Sequence, residues 1–348
     1  MTTGTEAAKE RLLELAHGIK GRIYSEATSP PVADSDVRKW AMAVYWPEKP
    51  PRQYWDREYA GNSRWRGMVA PVEFNPFAWP LEGPCHLPAW PDFCHAELSF
   101  SAGNEAEYHC PIRPGDVITG TSAIVDVYEK QGRSGDLVFV VTESRLTNHR
   151  GELVKLLRHP RVFIYQRPGD PARAVERAAV VPVVGPDEDP HLKWASPAPP
   201  DKHTRFFEDV DEGDCLPLFQ RYTDLMSFNR FAAVNDEFVY HHMDIDVANS
   251  RGQKDVDGMG LLQFSYLHNL LRQWIGEDGD IRRAQIRYRA NNGRGDIVSS
   301  HGRVIRAYRE GGLNLVDVEM WTENQRGETL SPGSATVSLP SWPTTEGA

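Results

Sequence analysis

The sequence predicts an α+β fold made of two copies of one unit, each a long buried helix wrapped by an antiparallel sheet. Three observations carry this. The segments "PGDVITGTSAIVDVYEKQGRSGDLVFVVTESRLTNHRGELV", from Pro114, and "RGDIVSSHGRVIRAYREGGLNLVDVEMWTENQRGETLS", from Arg294, follow the same plan about 180 residues apart. Each opens on Gly-Asp, enters a strand, turns at a glycine-containing hairpin and returns to Asn-(His/Gln)-Arg-Gly-Glu. Between Gly260 and Gly276, Leu267, Leu270, Leu271 and Trp274 repeat at helical spacing in a stretch too apolar to face water. Four antiparallel strand candidates follow that helix: Ala284–Ala290, Ile297–Ala307, Leu315–Thr322 and Ser334–Leu339.

Taken in chain order, the first 166 residues form the first copy. Its "WAMAVYWPEKPPRQYWDREYAGNSRWRGM", from Trp40, parallels "FAAVNDEFVYHHMDIDVANSRGQKDVDGM", from Phe231. Both read as an apolar helix, an irregular loop and a closing Gly-Met. "GRSG" at Gly132 is a hairpin signal. Arg167–His203 holds eight prolines without an amphipathic period and reads as a linker draped over a surface. The second copy occupies residues 204–348. In it, Leu225, Phe228, Phe231 and Ala232 mark a helix from Asp224 to Val234 that Asn235-Asp236 ends. The alternation of Val316, Val318 and Met320 with Asp317 and Glu319 is that of a half-buried strand.

Composition narrows the function. The 348 residues suffice for two ordinary domains, and 40% apolar residues suffice for a full core. A formal charge of −10 argues against nucleic acid as the main partner, which would require a basic surface. Cys85, Cys94, Cys110 and Cys215 show no CxxC pairing and read as reduced. The N-terminus carries charge throughout, unlike a signal peptide, and no stretch approaches a membrane span. The expectation is a soluble, cytoplasmic protein. No GxGxxG or GxxxxGK[ST] occurs in a strand-to-helix context, so no nucleotide cofactor is expected.

The chemistry concentrates in "NDEFVYHHMDIDVA", from Asn235. Asp236 precedes His241 and His242, and Asp244 and Asp246 follow. An acid/base pair, a metal site and a charged solvent loop all fit these residues. The metal reading requires three or four ligands in suitable geometry, and Asp236, His241, His242 and Asp244 would have to supply them with no further Cys/His cluster nearby. The repeat tips the balance toward acid/base chemistry without metal. The first copy has Tyr45-Trp46 in place of Asn235-Asp236 and Tyr54-Trp55 in place of the histidines, so one copy alone keeps titratable groups. Ser265, seven residues past Gly258 on the buried helix, is a further candidate, although inward serines are usually satisfied by a backbone carbonyl. Arg287 and Arg289 alternate with Ile286 and Tyr288 on one strand face, open to coenzyme A phosphates or simply to water.

A helix wrapped by an antiparallel sheet, behind a shorter helix and a polar loop, resembles the MaoC-like acyl-thioester hydratases and dehydratases in their double hot-dog form. The resemblance covers nearly the whole chain outside the linker and the ends; "GRSGDLVFVVTE" and "GDIVSSHGRV" are close to family patterns. The family motif, Gly-Asp-x-Asn-Pro-(Ile/Leu)-His-x-Asp with a later Gly-Met, is matched at Asp236, at His241 by its five-residue spacing, and at Gly258-Met259. His242-x-Asp244 fits the downstream half better, and Asn235, Phe238 and Val239 replace the motif's Gly, Asn and Pro. The resemblance implies a hydro-lyase on a 2-enoyl or (R)-3-hydroxyacyl thioester of coenzyme A or acyl carrier protein. It further implies a catalytic Asp236 with His241 or His242, spacing favouring His241, and oxyanion stabilisation by the Gly258 N–H at the helix start. A hot-dog thioesterase or isomerase, or a non-catalytic acyl-binding subunit, are the alternatives, and a homodimer stays open.

Overall fold

The structure is a computed structural model describing residues 2–80, 98–132, 135–165, 187–196, 203–250 and 253–343. The first half contains α1 (Thr2–Ile19), β1 (Ile23–Thr28), α2 (Asp34–Tyr45), α3 (Arg57–Asn62), β2 (Leu98–Ser101), β3 (Gly103–Tyr108), β4 (Ile118–Gly132), β5 (Gly135–Asn148) and β6 (Leu153–Tyr165). After the short α4 (Pro190–Lys193), the second half adds β7 (Phe219–Tyr222), α5 (Leu225–Asn235), α6 (Tyr240–Met243), α7 (Ile245–Ser250) and α8 (Gly260–Ile275). It closes with β8 (Asp280–Arg287), β9 (Ile297–Glu310), β10 (Leu313–Glu323) and β11 (Thr329–Ser338).

Among the described residues the strands form one sheet in the order β1-β4-β5-β6-β3-β8-β11-β10-β9-β7, with β2 on β6. Every pairing is antiparallel, and the order reads alike from either end outside the central β3–β8 pair, where Asn104 faces Ile286 and Ala106 faces Ala284. This is the α+β double hot-dog arrangement. In β10, Val316, Val318 and Met320 are buried while Asp317 and Glu319 are not, as the alternation requires.

The duplication extends to single hydrogen bonds. Asn148 Nδ2 donates to Glu152 Oε2 at 2.7 Å, and Asn324 Nδ2 to Glu328 Oε2 at 2.8 Å. Arg150 Nη1 reaches Asp116 Oδ1 at 2.8 Å, and Arg326 Nη1 reaches Asp296 Oδ1 at 3.2 Å. Gly151 and Gly327 both take positive φ, 78° and 75°, at the same point of the turn, which explains glycine in both Arg-Gly-Glu sequences.

The copies differ where a helix should match. Among the described residues only the second half shows the long buried helix, α8, with thirteen of its residues buried. In the first half, residues 69–80 after Met68 are irregular, and 81–97 lie outside the described residues. The expected helix of the first copy is not among the described residues. "VAPVEFNPFAWP", with three prolines in twelve residues, cannot sustain a helical ladder. A separate small core forms instead, where Leu12 and Ala16 of α1 meet Ile124, Val127, Val138, Val140 and Phe163.

Of the Pro-rich segment, residues 166–186 and 197–202 lie outside the described residues. The remainder is anchored more firmly than a draped linker. His191 is buried, its ring 3.9 Å from that of Trp46 and its Nε2 3.1 Å from Asp224 Oδ2. Cys85 and Cys94 also lie outside the described residues, whereas Cys110 and Cys215 are free thiols. No described helix is long and apolar enough to cross a membrane.

Candidate active site

The site begins at the end of α5. Asp224 caps the start of that helix, accepting from Met226 N at 2.9 Å and Ser227 N at 3.1 Å. Asp236 ends it in the left-handed conformation at φ 53°, and the N–H groups of Asp236 and Glu237 both turn back to the Ala232 carbonyl. Asparagine or aspartate tolerates this conformation where most residues do not, so Asp236 has a structural duty whatever its side chain does.

Glu237 was not singled out from sequence. Its Oε2 accepts from Asn235 Nδ2 at 2.8 Å, and Asn235 Oδ1 accepts from Asn75 Nδ2 of the first half at 2.9 Å. Burial pushes the Glu237 carboxyl above the usual carboxylate range, against the opposing pull of the Asn235 hydrogen bond and the His242 charge. A signal for it existed: Glu237 stands five residues before His242, which is followed by x-Asp244, the family spacing with Glu in place of Asp.

Residues 240–243 form a helical turn, so adjacent side chains do not face opposite ways as they would in an extended loop. The rings of His241 and His242 lie side by side, centroids 4.1 Å apart. His242 Nδ1 lies 2.7 Å from the Asp257 carbonyl oxygen and 2.9 Å from Asp257 Oδ1. Both neighbours are acceptors, so Nδ1 carries the proton and Nε2 the lone pair. Burial lowers the affinity of His242 for a second proton, but Asp257, by hydrogen bond and charge, and Glu237, by charge, outweigh it and raise the pKa. Asp257 is itself held through Oδ2 by Gln253 at 3.1 Å and by Asn291.

Gly258 sits where expected, before α8, but its N–H is committed to the Asn292 carbonyl at 2.8 Å. The bridge between Asp257 and Gly293 imposes this pairing, so the expected oxyanion donor is already used. A Cβ at 258 would lie 2.5 Å from Asn292 Nδ2 and 2.7 Å from Phe228 Cε1, so glycine is there for close packing. Asn292 is oriented in turn by Gln263, whose Oε1 accepts from Thr322 and Ser331. The N–H groups of Gly260 and Leu261, in the first turn of α8, have no intrahelical acceptor and form the positive end of the helix. Ser265 is buried in the middle of α8. Arg287 and Arg289 are exposed, as on a solvated strand face.

In the first half, Tyr45 and Tyr54 are buried with ring centroids 6.3 Å apart, so aromatic packing replaces polar chemistry at the corresponding loop. Donor atoms of His241, His242 and Asp257 fall within 4.8 Å of one another, a three-ligand set other than the one weighed from sequence. The hydrogen bonds that Asp257 already makes to His242, Gln253 and Asn291 suit an orienting carboxylate.

Residues 19–157 match the model of the FAS1-like, dehydratase domain region. A comparison with curated protein sequences finds no match. Among solved structures, a MaoC-like dehydratase superposes with a TM-score of 0.65 at 19% identity, over 92% of this chain and 99% of that one. A MaoC-like dehydratase from Phytophthora capsici gives 0.59 at 13% identity, over 94% and 99%. Full-length peroxisomal multifunctional enzyme type 2 from Drosophila melanogaster gives 0.57 at 14%, over 96% of this chain and 52% of that one. At these identities the structural likenesses speak for the fold, and the family model covers residues 19–157 alone. The chain has the double hot-dog fold of these MaoC-like dehydratases.

Proposed function

We propose that the protein is a hydro-lyase that adds water to a 2-enoyl thioester or removes it from the 3-hydroxyacyl thioester, carried by coenzyme A or an acyl carrier protein. The observation that supports this most directly is the His242–Asp257 contact, which fixes an imidazole with its Nε2 lone pair available, beside Glu237 and close to the start of a buried helix.

In the hydration direction, His242 Nε2 takes a proton from water as the water oxygen bonds to C3. Electron density moves from the C2–C3 double bond through C2 onto the thioester oxygen, where the first-turn N–H groups of α8 stabilise it. Glu237, whose raised pKa favours its protonated form, delivers a proton to C2. The proton held by His242 then restores Glu237, and one water has been added with no net change in the protein. Dehydration is the reverse. In this reading Asp236 shapes the turn that aims Glu237, and His241 packs against the base. Incubation with crotonyl-coenzyme A and longer enoyl thioesters, following loss of enoyl absorbance, tests the assignment. Absence of turnover at every chain length would remove it.

A further inference from the structure

Tyr288 follows β8 directly and lays its ring on the first residue of α8. A Cβ at Gly260 would lie 2.7 Å from Tyr288 Cζ and 2.9 Å from both Cε atoms. Glycine at 260 thus lets the phenol approach the helix start. The first half of the chain holds this residue twice over. Tyr288 N donates to the Ala102 carbonyl at 3.1 Å, and Asn104 Nδ2 donates to the phenol oxygen at 2.6 Å. Asn104 Oδ1 lies 2.9 Å from His159 Nδ1, and the amide orientation that satisfies both neighbours turns its NH2 group to the tyrosine. The phenol oxygen is therefore an acceptor toward Asn104, leaving its own proton to be donated elsewhere.

We propose that the Tyr288 hydroxyl donates to the thioester oxygen as negative charge develops there, beside the first-turn N–H groups of α8, and that Asn104 is its positioning residue. The proposal rests on the hydro-lyase reading. It supplies the side-chain donor that the committed Gly258 N–H cannot. Burial keeps the phenol protonated, and the charge of Glu237 acts in the same direction. It also gives the first half, whose corresponding loop is filled with aromatic residues, a direct part in the chemistry.

The test uses the full chain with two readouts. Tyr288→Phe keeps the ring and removes the donor, so kcat on enoyl-coenzyme A should fall by about 10²-fold while KM changes little. Acetoacetyl-coenzyme A, whose bound enolate absorbs in the near ultraviolet, reports oxyanion stabilisation without turnover. The parent should strengthen the enolate band, Tyr288→Phe should lose it and Glu237→Gln should keep it. If Tyr288→Phe fails to fold by circular dichroism, Asn104→Ala takes its place and should weaken the band with the phenol intact. An active parent whose Tyr288→Phe variant, or Asn104→Ala in its stead, keeps kcat within about threefold and an unchanged enolate band overturns the Tyr288 assignment and leaves the hydro-lyase standing. A parent with neither turnover nor an enolate band removes both.

Discussion

His242 is held at Nδ1 by both oxygens that Asp257 offers, the carboxylate at 2.9 Å and the backbone carbonyl at 2.7 Å, which fixes one tautomer of the imidazole. Asp257→Asn should disturb that tautomer with little change in shape. A loss of about 10² or more in kcat is expected, since an amide can present its NH2 group to Nδ1. The pH profile adds a sign. Asp257 raises the His242 pKa, so the acid limb of kcat/KM should move to lower pH in the variant. An unmoved limb would mean that another group governs it.

The adjacent residues in each half of the pair should separate sharply. Glu237→Gln and His242→Ala should each lower kcat by about 10² to 10⁴, the usual range for a positioned proton-transfer group. Asp236→Asn, which preserves the left-handed turn, and His241→Ala should stay within about tenfold of the parent on the same scale. Steady-state kinetics of the four single variants decides it, and the reverse ranking would restore the Asp236–His241 pair.

Prolonged treatment with a strong chelator should leave activity unchanged, even though His241, His242 and Asp257 gather three donor atoms. Elemental analysis before and after treatment completes the measurement. A stoichiometric metal lost together with activity would transfer the site to metal chemistry.

The first half carries a pH-sensitive cluster of its own. Burial raises the Glu73 carboxyl to about 7, against its own backbone N–H, Trp40, Lys155 and Arg272, all of which pull it down. A carboxyl whose pKa is higher folded than unfolded stabilises the fold fully below the unfolded value and loses that contribution as pH rises through the folded one. Glu73→Gln, neutral at all pH values, should therefore be more thermostable relative to the parent at pH 8 than at pH 5. Thermal unfolding at the two pH values measures this, and an equal difference at both would show that Glu73 does not titrate as described.

The sequence by itself determined the duplication, the antiparallel strands, the long apolar helix of the second copy and the place where chemistry collects. Each is written in local signals: turn glycines, period-2 alternation in β10, helical spacing in α8, and the loss of titratable groups from one copy of the loop. Tertiary structure alone decided what the site residues touch. Asp257 meets His242 across fifteen residues, and Asn104 meets Tyr288 across 184, distances that no periodicity records. The Gly258 N–H looked available because a helix start leaves its donors unpaired, but a bridge to the segment after β8 had claimed it. The motif carries aspartate, which points to Asp236, while Glu237 stands at the motif's spacing from His242. Only the folded loop shows that 240–243 coils into a turn and that Asp236 takes the left-handed position ending α5, with the half-buried Glu237 next to it.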